Sequence, residues 1–112
     1  MQIKFLENGD VNEFLGSIPK KAKEKFFKSM KKTEQGISGE WFKKMAGTKN
    51  IWEFRVQHMK MWYRIFAFLY KSKEGLKLIM CTCGITKSQN KTPKKDIDRA
   101  ERIKREYLDS LE

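Results

Sequence analysis

Arg55, His58, Tyr63, Arg64 and Lys87 fall within one stretch, residues 51–91, reading IWEFRVQHMKMWYRIFAFLYKSKEGLKLIMCTCGITKSQNK. These side chains suit chemistry at a phosphate. Arginine grips two phosphate oxygens at once. Histidine exchanges a proton near neutral pH, and lysine can donate a proton or hold developing negative charge. Arg64 stands out because it interrupts the apolar run Met61–Tyr70. A charge there is costly to bury unpaired, so it either faces a polar groove or has a carboxylate partner such as Glu53. Arg55 has the outward parity of its strand, which suits a phosphate contact or a plain surface position. His58 lies at a turn, where it can act as general base or acid or stand idle in solvent. Tyr63 has the opposite parity to Arg64 and belongs in the core unless a bulge reorients it. Trp62 shares the parity of Arg64 and reads as core packing, with base stacking as the alternative.

Three strands are expected to carry these residues. Ile51–Gln57 alternates, with Trp52, Phe54 and Val56 facing one way and Glu53, Arg55 and Gln57 the other. His58–Lys60 breaks the pattern and predicts a hairpin. Met61–Tyr70 is apolar on both parities, as a central strand is, and Leu76–Ile85 forms the third strand, with Gly84 marking a bulge or a close backbone approach. Cys81 and Cys83, two apart in that strand, are expected on one face as free, packed thiols. With one histidine there is no ligand set for zinc, and no metal or cofactor is expected.

Helices flank this block. Asp10-Val11-Asn12-Glu13 reads as a capping box opening a short helix that ends at Gly16. Pro19 restarts a helix whose apolar stripe is Ile18, Ala22, Phe26 and Met30 and which ends near Gln35-Gly36. Residues 36–50 connect it to the strands, with one helical turn over Glu40–Met45. Thr92 is expected to cap, and Pro93 to start, a closing helix with Ala100, Ile103, Tyr107 and Leu111 on its apolar side. A short first strand precedes all of these, over Met1–Leu6. Helices grouped at the ends of a sheet-forming block indicate an α+β fold, and 112 residues make one domain.

Twenty-five Lys and Arg against 14 Asp and Glu give a net charge of +11. Charge of this size is relieved by a polyanion or an acidic partner, nucleic acid first among them. The first residues, MQIKFLENGD, carry charges too early for a secretory leader, and the longest apolar run is far short of the roughly 20 residues that span a bilayer. A cytoplasmic protein with reduced cysteines is expected.

Three segments in order carry a resemblance to a known family. IWEFRV resembles a tryptophan–glutamate–aliphatic–arginine strand, WYRIFAF a tyrosine–arginine–aliphatic strand, and GITKSQNKTPKKDIDRAERIKREY a basic exit loop running into a TP-initiated helix. Together they resemble toxins of the RelE/ParE superfamily, specifically the phage-derived, HigB-like branch of type II toxin–antitoxin systems. The resemblance implies a RelE-like, microbial-RNase-like fold: two N-terminal helices on a mostly antiparallel sheet of three to five strands, then a C-terminal helix. It implies an mRNA endoribonuclease acting at the ribosome, neutralised by a cognate antitoxin, a small helix-turn-helix protein. Metal-free RNA cleavage uses the 2′-hydroxyl as nucleophile and needs a base, positive charge for the phosphorane and an acid for the 5′-oxygen. In that scheme Arg64 stabilises charge, Lys87 stabilises charge or acts as acid, and His58 transfers a proton. Arg55, Gln89 and Lys91 contact the RNA. The tyrosine nearest the C-terminus, Tyr107, lies on the apolar stripe of the closing helix. The alternative is a ParE-like toxin that inhibits DNA gyrase without catalysis.

Overall fold

Strand β4 (Met61–Lys71) is apolar on both parities and occupies the middle of a five-stranded sheet, with helices against both faces. The computed structural model describes residues 1–111 of the chain. The other elements are β1 (Gln2–Phe5), α1 (Val11–Ser17), α2 (Lys20–Glu34), β2 (Phe42–Lys44), β3 (Trp52–His58), β5 (Lys77–Lys87) and α3 (Lys94–Asp109). The sheet order is β1-β5-β4-β3-β2, antiparallel throughout except for the parallel β1–β5 pair. This is an α+β architecture with three helices on a mostly antiparallel open sheet.

Two cores flank the sheet. On one face α1 and α2 bury Phe14, Leu15, Ala22, Phe26 and Met30 against Phe54, Val56, Tyr63, Ile65 and Ile79. On the other, α3 lays Ala100 and Ile103 over Phe66, Phe68, Leu78 and Met80, with Tyr107 packed beside them. Helix α2 ends as its sequence predicts: Gly36 takes φ 86°, and the Ile37 N–H closes onto the Lys32 carbonyl at 3.0 Å. Among the described residues no helix is long and apolar enough to cross a membrane.

Four local expectations give way to tertiary contacts. Residues 42–44 form strand β2 rather than part of a helical turn. The Phe42 ring stacks on Phe54 at 4.3 Å and Trp52 at 5.0 Å, and cross-strand aromatic packing outweighs local helix preference. Asp10 does not cap α1 with its side chain. Its Oδ1 accepts the Gly84 N–H at 3.1 Å and its Oδ2 takes the Arg99 guanidinium, so it ties β5 to α3 instead. Helix α3 starts at Lys94 with Pro93 as its cap position and no side-chain cap bond, so Thr92 does not play that part. Finally, Cys81 and Cys83 lie on opposite faces.

The cysteine result follows from a bulge. Phe66 pairs with Cys83 and Ala67 with Cys81, which leaves Thr82 as an extra residue. That extra residue inverts the pleat: Cys81 joins the α1–α2 core and Cys83 the α3 core. Thr82 hydroxyl donates to the Phe66 carbonyl at 3.1 Å, and its own carbonyl accepts the Asp10 N–H at 3.1 Å. Gly84 provides the close approach expected of it, since a Cβ there would fall inside the Phe14 ring. Burial raises both thiols above the ordinary value, Cys81 far above it. Neither cysteine is therefore expected to react with Ellman's reagent in the native protein, and both should react in denaturant. Rapid native labelling of either one would contradict this packing.

Candidate functional site

Directly paired residues of neighbouring strands share a sheet face, so β3–β5 present three rows of side chains toward α3. The rows are Glu53, Phe66 and Cys83; Arg55, Arg64 and Ile85; and Gln57, Trp62 and Lys87. The first row is apolar apart from Glu53, and the two toward the hairpin end carry the basic residues, Arg55 and Arg64 in one and Lys87 in the other.

Arg55 and Arg64 are direct cross-strand neighbours, a like-charge pairing that is unfavourable unless compensated. Glu53 compensates it. Glu53 is 4% exposed. Oε1 lies 2.6 Å from Arg64 Nη1 and 3.9 Å from Arg55 Nη1. Arg64 is itself only 2% exposed. Its Nη2 donates to both the main-chain carbonyl and the side-chain oxygen of Asn90, each at 2.7 Å. The Trp62 ring centre lies 5.5 Å from the Arg64 guanidinium carbon, within cation–π range. Among the described residues, Arg64 Nε and Glu53 Oε2 are buried without a hydrogen-bond partner. Of the two arrangements that its place in the sequence allows, Arg64 thus has the carboxylate partner, Glu53.

Arg55 is less enclosed. Its Nε donates to the Glu40 carbonyl at 3.2 Å, and its Nη2 sits 3.5 Å from the exposed Glu40 carboxylate. Lys43, hydrogen-bonded to that carboxylate, and more weakly Arg55 hold the Glu40 carboxyl below its usual range. An exposed partner of this kind neutralises little of the field. Two guanidiniums against the buried Glu53 therefore leave an excess of positive charge on the floor of this face.

Lys87 ends β5 beside Trp62, and its Nζ stands 3.8 Å from Asp96 Oδ2 in the first turn of α3. The connection from β5 to α3 then crosses the edge of the basic patch. Its residues Ser88, Gln89, Asn90 and Lys91 are all exposed, while the Asn90 side chain reaches inward to Arg64. The structure thus brings together Arg55, Arg64 and Lys87, with Gln89 and Lys91 in the adjoining loop. It does not bring His58 to them. His58 follows Val56 in the alternation of β3 and pairs with Met61, which packs on the α1–α2 core. Tyr63 is buried on that same opposite face. Sequence reasoning missed Asn90, Glu40 and Asp96 as partners of the basic residues. Nothing in their type or spacing points to these contacts, which depend on how the loops return to the sheet.

No curated protein and no solved structure matches the chain. Residues 13–105 match the family described as Phage derived protein Gp49-like (DUF891). The matched span runs from within α1 to within α3 and includes all of the basic patch, its buried carboxylate and its loop. The chain belongs to the phage-derived Gp49-like family.

Proposed function

We propose that this protein is the toxin of a type II toxin–antitoxin system and that it cleaves mRNA on the ribosome. The Gp49-like family is toxin-like and related to such systems, which supports the first half of the reading. The observation that carries the second half is the convergence of Arg55, Arg64 and Lys87 on one sheet face beside the loop bearing Gln89 and Lys91. The fold assignment that goes with it is RelE-like, on the HigB-like branch of the RelE/ParE superfamily.

In this mechanism the RNA's 2′-hydroxyl loses its proton to water as it attacks the adjacent phosphorus, forming a 2′,3′-cyclic phosphate and expelling the 5′-oxygen. Arg64 and Arg55 face the non-bridging oxygens, where their fixed charge stabilises the phosphorane. The Lys87 ammonium protonates the leaving oxygen or adds to that charge. Gln89 and Lys91 hold the flanking RNA. The nucleophile belongs to the substrate and the charge comes from arginines, so the reaction is metal-independent. His58, on the other face, is outside this set. The antitoxin is a small helix-turn-helix protein whose acidic segment meets the basic surface.

Primer extension on an mRNA in a reconstituted translation reaction tests the reading, with and without ribosomes. Cuts that appear only with ribosomes are expected. Cuts on free mRNA alone would remove the ribosome from the mechanism. No cuts under either condition, together with loss of gyrase supercoiling, would replace it with a ParE-like inhibitor.

A further inference from the structure

The Arg64 guanidinium is a planar fork whose Nε and Nη2 edge can hold two oxygens of one oxyanion. Glu53 takes the far nitrogen, Nη1, and leaves that edge free of charge partners. Asn90 sits on it. Both of its oxygens crowd onto Nη2 at 2.7 Å, and Nε is left buried with no acceptor among the described residues. The occupant is neutral and fills half of the edge. A phosphate would fill both positions and add charge.

We propose that Asn90 is a built-in occupant of an oxyanion site on Arg64, and that the 88–91 loop must lift before a phosphodiester can bind there. This deepens, and rests on, the reading of Arg64 as the group that meets the scissile phosphate. Residues 88–91 are all exposed, so the cost of lifting the loop is chiefly the two hydrogen bonds from Arg64 to Asn90. Glu53 keeps its grip on Nη1 throughout, so the guanidinium stays in place while Asn90 exchanges with the ligand. The apparent affinity for an oxyanion is then the intrinsic affinity reduced by the fraction of molecules with the loop lifted.

Inorganic phosphate is the probe, titrated at constant ionic strength against the full chain while the Arg64 Nε–Hε resonance is followed by NMR. Three proteins are compared: wild type, Asn90→Ala and Asn90→Asp. Alanine removes one of two acceptors from Nη2 and should tighten phosphate binding about tenfold, the typical effect of losing a charge-assisted hydrogen bond that holds the closed form. Aspartate puts a carboxylate on the same edge and should weaken binding about tenfold or more. Equal affinity in wild type and Asn90→Ala overturns the inference, as does the absence of any phosphate-dependent shift in all three proteins. The expected order of affinities without any mRNA cleavage would leave the oxyanion site standing and remove the nuclease. Ribosome-dependent cleavage with equal phosphate affinities would do the reverse.

Discussion

Replacing Arg64 with alanine is expected to cost about 3–5 kcal/mol of folding stability, the range for removing one partner of a buried ion pair. The reason is Glu53. With Arg64 gone, the buried Glu53 keeps only Arg55, 3.9 Å away and itself shared with Glu40. The Asn90 contacts are lost as well, and a cavity opens in the row between Arg55 and Ile85. For a domain of this size the midpoint temperature should fall by roughly 10–20 °C. Replacing the pair together, as Glu53→Leu with Arg64→Met, should recover most of that loss, because two apolar side chains leave no buried charge behind. Urea unfolding of the single and double variants measures both effects. A loss below about 1 kcal/mol in Arg64→Ala, the level of an exposed pair, would mean that the pair is not buried in solution. The consequence for function is practical: an inactive Arg64→Ala protein says little about chemistry until its folded fraction has been measured.

The same residue shows where a sequence can be read and where it cannot. A lone arginine inside Met61–Tyr70 forces a choice between a polar groove and a carboxylate, and Glu53 is the acidic residue of the neighbouring strand with matching parity. The central place of β4, the hairpin before it and the burial of Tyr63 follow from apolar parity in the same way. Parity fails when one residue is inserted. Thr82 reverses the pleat between Cys81 and Cys83, and nothing in MCTCG distinguishes a bulge from a regular strand. The hairpin turn is similarly opaque. Met59 and Lys60 both take positive φ, 52° and 68°, at positions where Asn-Gly would be the usual signal. Strand β2 and the inward turn of Asn90 depend on what the rest of the fold offers them, Phe54 and Trp52 in one case and Arg64 in the other. Local propensity carries no record of partners so distant in the chain.

The cleaner test of chemistry is Lys87→Met, which should reduce cleavage by about 10²–10⁴-fold, the range for a general acid or base. Lys87 suits this because its removal costs the fold less than the removal of Arg64. Its side chain is 32% exposed, and its Nζ lies 3.8 Å from Asp96, too far for a hydrogen bond. The Asp96 side chain is only 13% exposed, and its Oδ2 is buried without a hydrogen-bond partner among the described residues. Losing the Lys87 charge should therefore cost about 1–3 kcal/mol, between an exposed and a buried pair, and the folded fraction is measured alongside. Position favours a direct role, since Lys87 shares a row with Trp62, next to the row of Arg55 and Arg64. Single-turnover cleavage of ribosome-bound mRNA is the measurement, and Lys87→Arg separates the two possible roles. Arginine keeps the charge but does not release a proton at accessible pH. If Lys87 stabilises the phosphorane, the arginine variant should stay within about tenfold of wild type while methionine fails. If Lys87 protonates the 5′-oxygen, both variants should fail alike, and the pH dependence assigned to the acid should vanish with them. A methionine variant that cuts within about threefold of wild type would take Lys87 out of the reaction, since general acid–base groups contribute far more than that. Phosphate-directed chemistry would then rest on two arginines that share one buried carboxylate, an arrangement that binds an oxyanion without supplying a proton.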